Sequence, residues 1–409
     1  MNAGVSKPSS LYASFGPVGA CAYIAGFCLP FRSDVPLIVL AVFSFLTVLG
    51  SDPATRPPGS PLRIPVMLFV LATALTIVAS HDAYRSLRLS APLAPALLLF
   101  WIIEGHFRGT QHIRLLYATC SGVALGLALL LLVTASRVGW SSVHGRVAEA
   151  GSPILIEAND AALLAVIAPM SLALLCDLPR SAMGIGAAMS ILFSLVAAVA
   201  VQSRTTMLAL IVSLACAAIL MRIRRRVVVG AGLAILGVAV FADWLLGFSL
   251  LHKLASGDGG RLSLWLTAWT MFLDAPLLGH GPHAFALLSP SFVADLGLDS
   301  HLAVIPWIHN LYLEVLAERG LVGFVTFCGL LAASFWVASK VQGSARRDVR
   351  ILNAAALAAL LSFSVAASVE LTFLRKWVVI ILFVLFGVIG HLSSLSPTGV
   401  GRTHRQGNG

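Results

Sequence analysis

Two arginines and one histidine stand out because each lies beside a long apolar segment, where polar groups are rare and often functional. Arg204 lies in a short polar turn between two such segments, Arg261 begins a shorter apolar stretch, and His309 begins a new helical pattern. Guanidinium groups bind phosphate oxygens through paired hydrogen bonds and can neutralise a diphosphate, and an imidazole takes up a proton near neutral pH. These residue types predict a group transfer from an anionic lipid, in which Arg204 and Arg261 hold the diphosphate and His309 is the base.

Five further polar residues flank these positions and are candidates for supporting roles: Asn159, Asp160, Asn310, Tyr312 and Glu314. Simpler interpretations are open, since Asn159 and Asp160 could cap a helix, Arg204 could reach the lipid headgroups and His309 could be structural. The sequence has no dense group of carboxylates of the kind that holds a hard divalent cation. We therefore expect neither a metal site nor a cofactor. The motifs of P-loop ATPases, Gly-x-Ser-x-Gly hydrolases and zinc proteases are absent too.

Apolar helices must position these residues, because 58% of the 409 residues are hydrophobic and 11% are charged. Soluble domains average roughly a quarter charged residues. The composition predicts an all-α polytopic membrane protein with about 12 transmembrane helices. The expected spans lie near residues 12–30, 35–50, 62–80, 89–103, 113–135, 158–177, 181–201, 205–221, 227–247, 319–339, 351–369 and 377–393.

Charged loops give these spans a direction, since short basic loops stay in the cytoplasm. Basic residues cluster between the eighth and ninth predicted spans and again between the tenth and eleventh. The long loop near 248–318 must then face the opposite compartment, together with all three candidate residues, and both termini are expected in the cytoplasm. Within that loop, residues 261–273 are too short to span and carry two tryptophans, which predicts a helix at the membrane surface. The net charge of +10 fits this topology, and no nucleic-acid-binding motif is present.

Four stretches, taken in their order and spacing, resemble the O-antigen ligase and polymerase superfamily. They are Ser203–Thr205, Arg261–Trp265, Pro276–Pro282 and His309–Gly320. The resemblance is strongest over about 155–340, and His-Asn-x-Tyr-Leu followed by Glu-x-Gly is its most specific part. It implies a metal-independent, inverting glycosyltransferase of the bacterial inner membrane. Such enzymes move a glycan from an undecaprenyl diphosphate carrier to an acceptor hydroxyl at the periplasmic face, and the resemblance implies the same roles for Arg204, Arg261 and His309.

The acceptor is left open by these residues. A ligase would use the lipid A-core, and a polymerase would use another lipid-linked repeat of O-antigen or exopolysaccharide. A transporter of an anionic glycolipid would use the arginines without chemistry, although the polar residues collect on one side instead of tracing a path across the bilayer. The expected organisation is N-terminal transmembrane helices over 1–154, a ligase-like core with its periplasmic loop over 155–340, and two last spans with a cytoplasmic tail over 341–409.

Overall fold

In the computed structural model the described residues are 12–29, 34–49, 59–224 and 260–396, with scattered helical positions between 226 and 244. Helices form all of the regular structure in this part of the chain, and it contains no strand. The predicted all-α class is therefore confirmed. The α-helices are α1 (Tyr12–Cys28), α2 (Asp34–Leu49), α3 (Arg63–Val78), α4 (Ala83–Leu89), α5 (Leu93–His106), α6 (Gly109–Val138), α7 (Ala162–Asp177), α8 (Ala182–Val201), α9 (Arg204–Leu220), α10 (Arg261–Asp274), α11 (Phe285–Asp295), α12 (Leu311–Gln342), α13 (Arg347–Ala367) and α14 (Lys376–Ser394).

Six helices of the described residues are long and apolar enough to cross a membrane: α6, α7 with its preceding 3₁₀ turn, α8, α12, α13 and α14. The pair α4 and α5, bent by 43°, would make a seventh span. Shorter apolar helices include α1, α2, α3 and α9, which coincide with predicted spans. The chain is thus a multi-pass membrane protein, while the count of about 12 spans stays a prediction. The predicted span at 227–247 lies outside the part of the chain that the structure describes continuously.

Helix α12 begins later than the sequence suggested. The pattern predicted a helix from His309 and a separate span at 319–339, whereas one helix of 32 residues runs from Leu311 to Gln342. Asn310 fixes its start, because the Asn310 side chain accepts hydrogen bonds from the first backbone N–H groups, those of Tyr312 and Leu313. His309 therefore precedes the helix.

A break at Gly320 interrupts the hydrogen bonding of α12. The loop 276–281 fills this break: the carbonyls of Ala317 and Glu318 accept hydrogen bonds from loop N–H groups, and the N–H groups of Leu321 and Val322 donate to loop carbonyls, with N···O distances from 2.8 to 3.4 Å. Backbone groups that the helix leaves unpaired are satisfied in this way. The loop is therefore strapped to the helix at one defined point.

Two glycines allow this close approach. Gly320 has φ 60° and ψ −165°, a backbone conformation that is essentially restricted to glycine. A Cβ atom on Gly320 would lie 2.4 Å from the Leu277 carbonyl carbon, and one on Gly279 would lie 2.4 Å from the Glu318 carbonyl carbon. Backbone packing thus explains the glycines of two of the motif stretches.

Side-chain contacts show which helix ends lie together at each end of the helix bundle. At one end, Thr110 at the start of α6 donates to Asp348 at the start of α13, with 2.9 Å between oxygens. At the other end, Trp377 at the start of α14 donates to Asp160 just before α7, at 2.9 Å. Since α13 has 21 residues and rises about 30 Å, it carries the chain from the first end to Glu370 at the second end.

Two apolar cores hold the helices together. The larger core contains residues of α1 to α3, α5 to α9 and α12 to α14. The smaller core joins α10 and α11 to the segment before α12 and to the first turns of α12. The larger core crosses the boundaries at 154 and 340 that the sequence suggested, and these boundaries stay predictions. The outer face of α10 is apolar and exposed at Leu262, Leu266, Trp269 and Leu273.

Candidate active site

A single buried carboxylate, Glu370, joins two of the residues selected from the sequence. It lies between α13 and α14 and its side chain is fully buried. One carboxylate oxygen accepts a hydrogen bond from Arg261 Nη2 at 2.8 Å, and the other lies 2.8 Å from His309 Nδ1. Arg261 begins α10 and His309 precedes α12, so Glu370 ties three separate segments together. We call Arg261, Trp307, His309, Glu370 and Arg375 the Glu370 cluster.

The hydrogen bonds of His309 define its tautomer. The Glu370 carboxylate can only accept, so His309 Nδ1 carries the hydrogen. The Trp307 indole Nε1 lies 3.0 Å from His309 Nε2 and can only donate, so Nε2 is the accepting nitrogen. His309 is therefore a neutral imidazole whose basic nitrogen points away from the carboxylate. Its backbone is left-handed, with φ 57°, and its side chain is 16% exposed.

Arg375 links the Glu370 cluster to the segment before α7. Its guanidinium binds Glu157 at 2.7 Å and Asp160 at 3.2 Å, and it lies 3.9 Å from Glu370. The guanidinium also lies over the Trp307 ring, 5.4 Å from its centre. Burial raises the pKa of Glu157, and the attraction of Arg375 opposes this change. Arg375 thus connects the segment before α7 to the Glu370 loop through a charge-assisted hydrogen bond to Glu157 and an ion pair with Asp160.

Arg204 reaches this region through its own helix end. It is the first residue of α9 and its side chain is exposed. The preceding residue, Ser203, caps α9 and also donates to Asn159 Oδ1 at 2.9 Å. Asn159 adjoins Asp160, which binds Arg375. The three residues expected to do the chemistry are therefore gathered at one end of the bundle.

The five residues expected in supporting roles all hold backbone or neighbouring side chains. Asn159 orients Ser203, and Asn310 caps α12. Asp160 is buried and accepts hydrogen bonds from two backbone N–H groups of its own loop. Tyr312 donates from its hydroxyl to the Ser364 carbonyl at 3.2 Å. Glu314 is buried and accepts from the Phe373 backbone N–H at 2.8 Å.

A second polar cluster lies on the other side of the 370–375 loop. We call His283, Glu314, Glu318, Arg319 and Phe373 the Arg319 cluster. Glu318 accepts from the backbone N–H of His283 at 2.7 Å, and it lies 3.6 Å from the Arg319 guanidinium, which sits 5.1 Å from the Phe373 ring centre. Burial lowers the pKa of His283 to about 3, and the nearby Arg319 charge adds to this effect.

The Arg319 cluster is closed. Both charged side chains of the Glu318–Arg319 pair are at least 96% buried, being 1% and 4% exposed. The cavity beside them has a volume of about 20 Å³, which is room for about one water molecule. Substrate-sized groups cannot enter it.

Sequence reasoning missed Trp307, Glu370 and Arg375. The signal for the last two was present, because both lie between the last two predicted spans, on the same side as the other candidates. Trp307 gave no such signal, since a tryptophan beside a span is ordinary at a membrane surface. Only the folded chain shows that its indole contacts His309.

Among the described residues, no group of three or more histidine, cysteine, aspartate or glutamate side chains could hold a metal ion. Comparison with curated proteins gave no match. The family model described as O-antigen ligase matches residues 189–328. This range contains the starts of α9 and α10, the loop 276–281, His309 and the break in α12. The match supports a membrane function of the O-antigen ligase or polymerase kind. Residues 189–328 of the chain are thus similar to the O-antigen ligase family.

Proposed function

We propose that the protein is a glycosyltransferase of lipopolysaccharide biosynthesis, an O-antigen ligase that moves a glycan from undecaprenyl diphosphate to a hydroxyl of the lipid A-core. The observation that carries this proposal is the sharing of Glu370 by His309 and Arg261. A base held by a carboxylate, next to a guanidinium, suits the transfer of a group from a phosphate leaving group.

His309 is the general base of this proposal. Its Nε2 takes the proton from the acceptor hydroxyl while the acceptor oxygen attacks the anomeric carbon and the bond from that carbon to the diphosphate oxygen breaks. Glu370 holds the Nδ1 hydrogen and stabilises the imidazolium that forms, as the carboxylate does in other base–carboxylate pairs. A positioned base of this kind contributes roughly 10²–10⁴-fold to the rate.

Arg204 and Arg261 bind the diphosphate and neutralise the charge that develops as it leaves. Arg261 is 34% exposed at its side chain while one of its N–H groups binds Glu370. Arg204 is exposed at the first turn of α9, where the helix N-terminus also favours negative charge. No metal is needed in this scheme. Activity that is lost with a chelator and restored by magnesium would contradict that part.

The Glu370 cluster faces the periplasm in this proposal. Basic residues of the adjoining helix turns surround the loop between α12 and α13, at the opposite end of α13, and short basic loops stay in the cytoplasm. The protein then has about 12 spans in the bacterial inner membrane, with α10 at the periplasmic surface and both termini in the cytoplasm.

Deleting the gene and separating the surface glycans on a gel tests the reaction class. A ligase predicts that long chains disappear from the lipid A-core while polymer accumulates on the carrier. Complementation with the wild-type gene should restore the long chains, and complementation with His309→Ala should not. Single repeats left on the core would indicate a polymerase instead, and movement of carrier-linked glycan into liposomes without a new glycosidic bond would indicate a transporter.

A further inference from the structure

Trp307 is hydrogen-bonded to the basic nitrogen of His309. Its indole Nε1 donates to His309 Nε2 at 3.0 Å, and the two rings meet edge to face at 86°. A nitrogen has one lone pair in the ring plane, so a donor in this position takes the place that an acceptor hydroxyl would need. The imidazole seen here is therefore oriented for reaction by Glu370 and blocked by Trp307.

The Trp307 side chain is partly exposed. Neither apolar core of the described residues includes Trp307, whereas its neighbour Ile308 is fully buried in the smaller core. The ring also faces the Arg375 guanidinium, which lies 5.4 Å from the ring centre. The backbone at 307–310 is anchored by Ile308 and by the capping residue Asn310, so the side chain can leave without moving the chain.

We infer that Trp307 is a gate on the acceptor side of the site: its indole covers His309 Nε2 until an acceptor hydroxyl replaces it. This inference rests on the proposed function, because it assumes that His309 Nε2 receives the acceptor proton. The indole N–H and an acceptor hydroxyl compete for one hydrogen-bonding position, about 3 Å from Nε2. Water is excluded from the base in the same way while no acceptor is bound.

The groups around His309 do not substitute for Trp307. Glu370 binds the opposite nitrogen, Arg261 binds the far oxygen of Glu370, and Arg375 is committed to Glu157 and Asp160. Removing the indole donor therefore frees Nε2 specifically.

Diethyl pyrocarbonate tests the gate, because it reacts with an accessible neutral imidazole nitrogen. In the full-length protein in detergent, Trp307→Phe should increase the modification rate of His309, measured by peptide mass spectrometry. We expect about fivefold, the equivalent of the ~1 kcal/mol of one hydrogen bond. His301, an exposed histidine shortly before His309 in the sequence, is the internal reference and should react at an unchanged rate. Trp269→Phe, on the exposed face of α10, is the matched control and should leave the His309 rate unchanged.

A second variant and the wild-type protein give two further tests of the gate. Trp307→Leu removes the whole ring and should also expose His309 in the folded fraction. An unchanged His309 rate in either folded variant would overturn the gate, and so would a wild-type His309 that reacts as fast as His301. In transfer assays with lipid A-core, Trp307→Phe should lower the KM for this acceptor and change kcat less. The chemical modification reports the gate alone, whereas loss of transfer in His309→Ala reports the proposed function, so the two can fail separately.

Discussion

The Glu370 cluster and the Arg319 cluster lie on two sides of the same loop, yet they differ in access. Each contains at least one carboxylate, at least one guanidinium and a histidine, surrounded by apolar helices. In the Glu370 cluster, Arg261 is one-third exposed and the adjoining Arg204 is exposed. In the Arg319 cluster the charged side chains are almost fully buried. A polar group within apolar spans therefore indicates a site only where a substrate can reach it.

The largest contrast should come from one substitution made in both clusters. Glu370→Gln removes the charge that holds the His309 tautomer and stabilises its protonated form, so transfer should fall by roughly 10²–10⁴-fold. Glu318→Gln should leave turnover per folded molecule near that of the wild type. Turnover of each purified variant, normalised to the folded fraction from size-exclusion chromatography, measures this difference. Equal losses in the two variants would remove the distinction between the clusters.

Stability should show the reverse order. Glu318→Gln leaves the buried Arg319 without its charge partner, and breaking a buried pair costs about 3–5 kcal/mol. Its melting temperature in detergent should therefore lie well below that of the wild type. A melting temperature for Glu318→Gln at or above that of Glu370→Gln would show that the Arg319 cluster is not the structural one.

Disturbing the packing of the loop 276–281 against the break in α12 should lower the stability by a smaller amount. Gly320→Ala places a Cβ atom against the loop backbone in a conformation that costs about 1–3 kcal/mol for other residues. Gly329→Ala is the matched control on the same helix, because a Cβ atom there meets nothing within 4 Å. Thermal unfolding of both variants should show destabilisation for Gly320→Ala alone. Similar melting temperatures for the two variants would mean that the loop can shift to accommodate the Cβ atom at little cost in stability.

The smallest effect concerns pH. The pKa of His283 is about 3 in the folded protein against an ordinary value of 6.5, so the unfolded chain binds more protons between these values. Stability from the neutral His283 is complete above pH 6.5 and is lost as the pH falls, by at most about 1.4 kcal/mol per pH unit. His283→Asn tolerates the left-handed backbone at this position and should lose less stability between pH 7 and 5. An unchanged pH slope would contradict this assignment.

Sequence patterns predicted the helical class and gathered Arg204, Arg261 and His309 into one candidate site, because the charge of the loops gives each span a direction. They could not separate the two halves of the stretch 309–320. The start of the stretch contributes His309 to the Glu370 cluster, and the part within α12 contributes Glu314, Glu318 and Arg319 to the closed one. That division depends on the break at Gly320 and on the loop strapped across it, which are contacts between distant segments.

The central claim is that His309 is the base of the Glu370 cluster. The most direct measurement is glycan transfer by the purified protein from an undecaprenyl-diphosphate-linked donor to lipid A-core, comparing His309→Ala with His301→Ala. His301 is an exposed histidine of the segment just before α12 and serves as the matched control. We predict a loss of roughly 10²–10⁴-fold for His309→Ala and near-normal turnover for His301→Ala. Near-normal turnover of a folded His309→Ala protein would contradict the account.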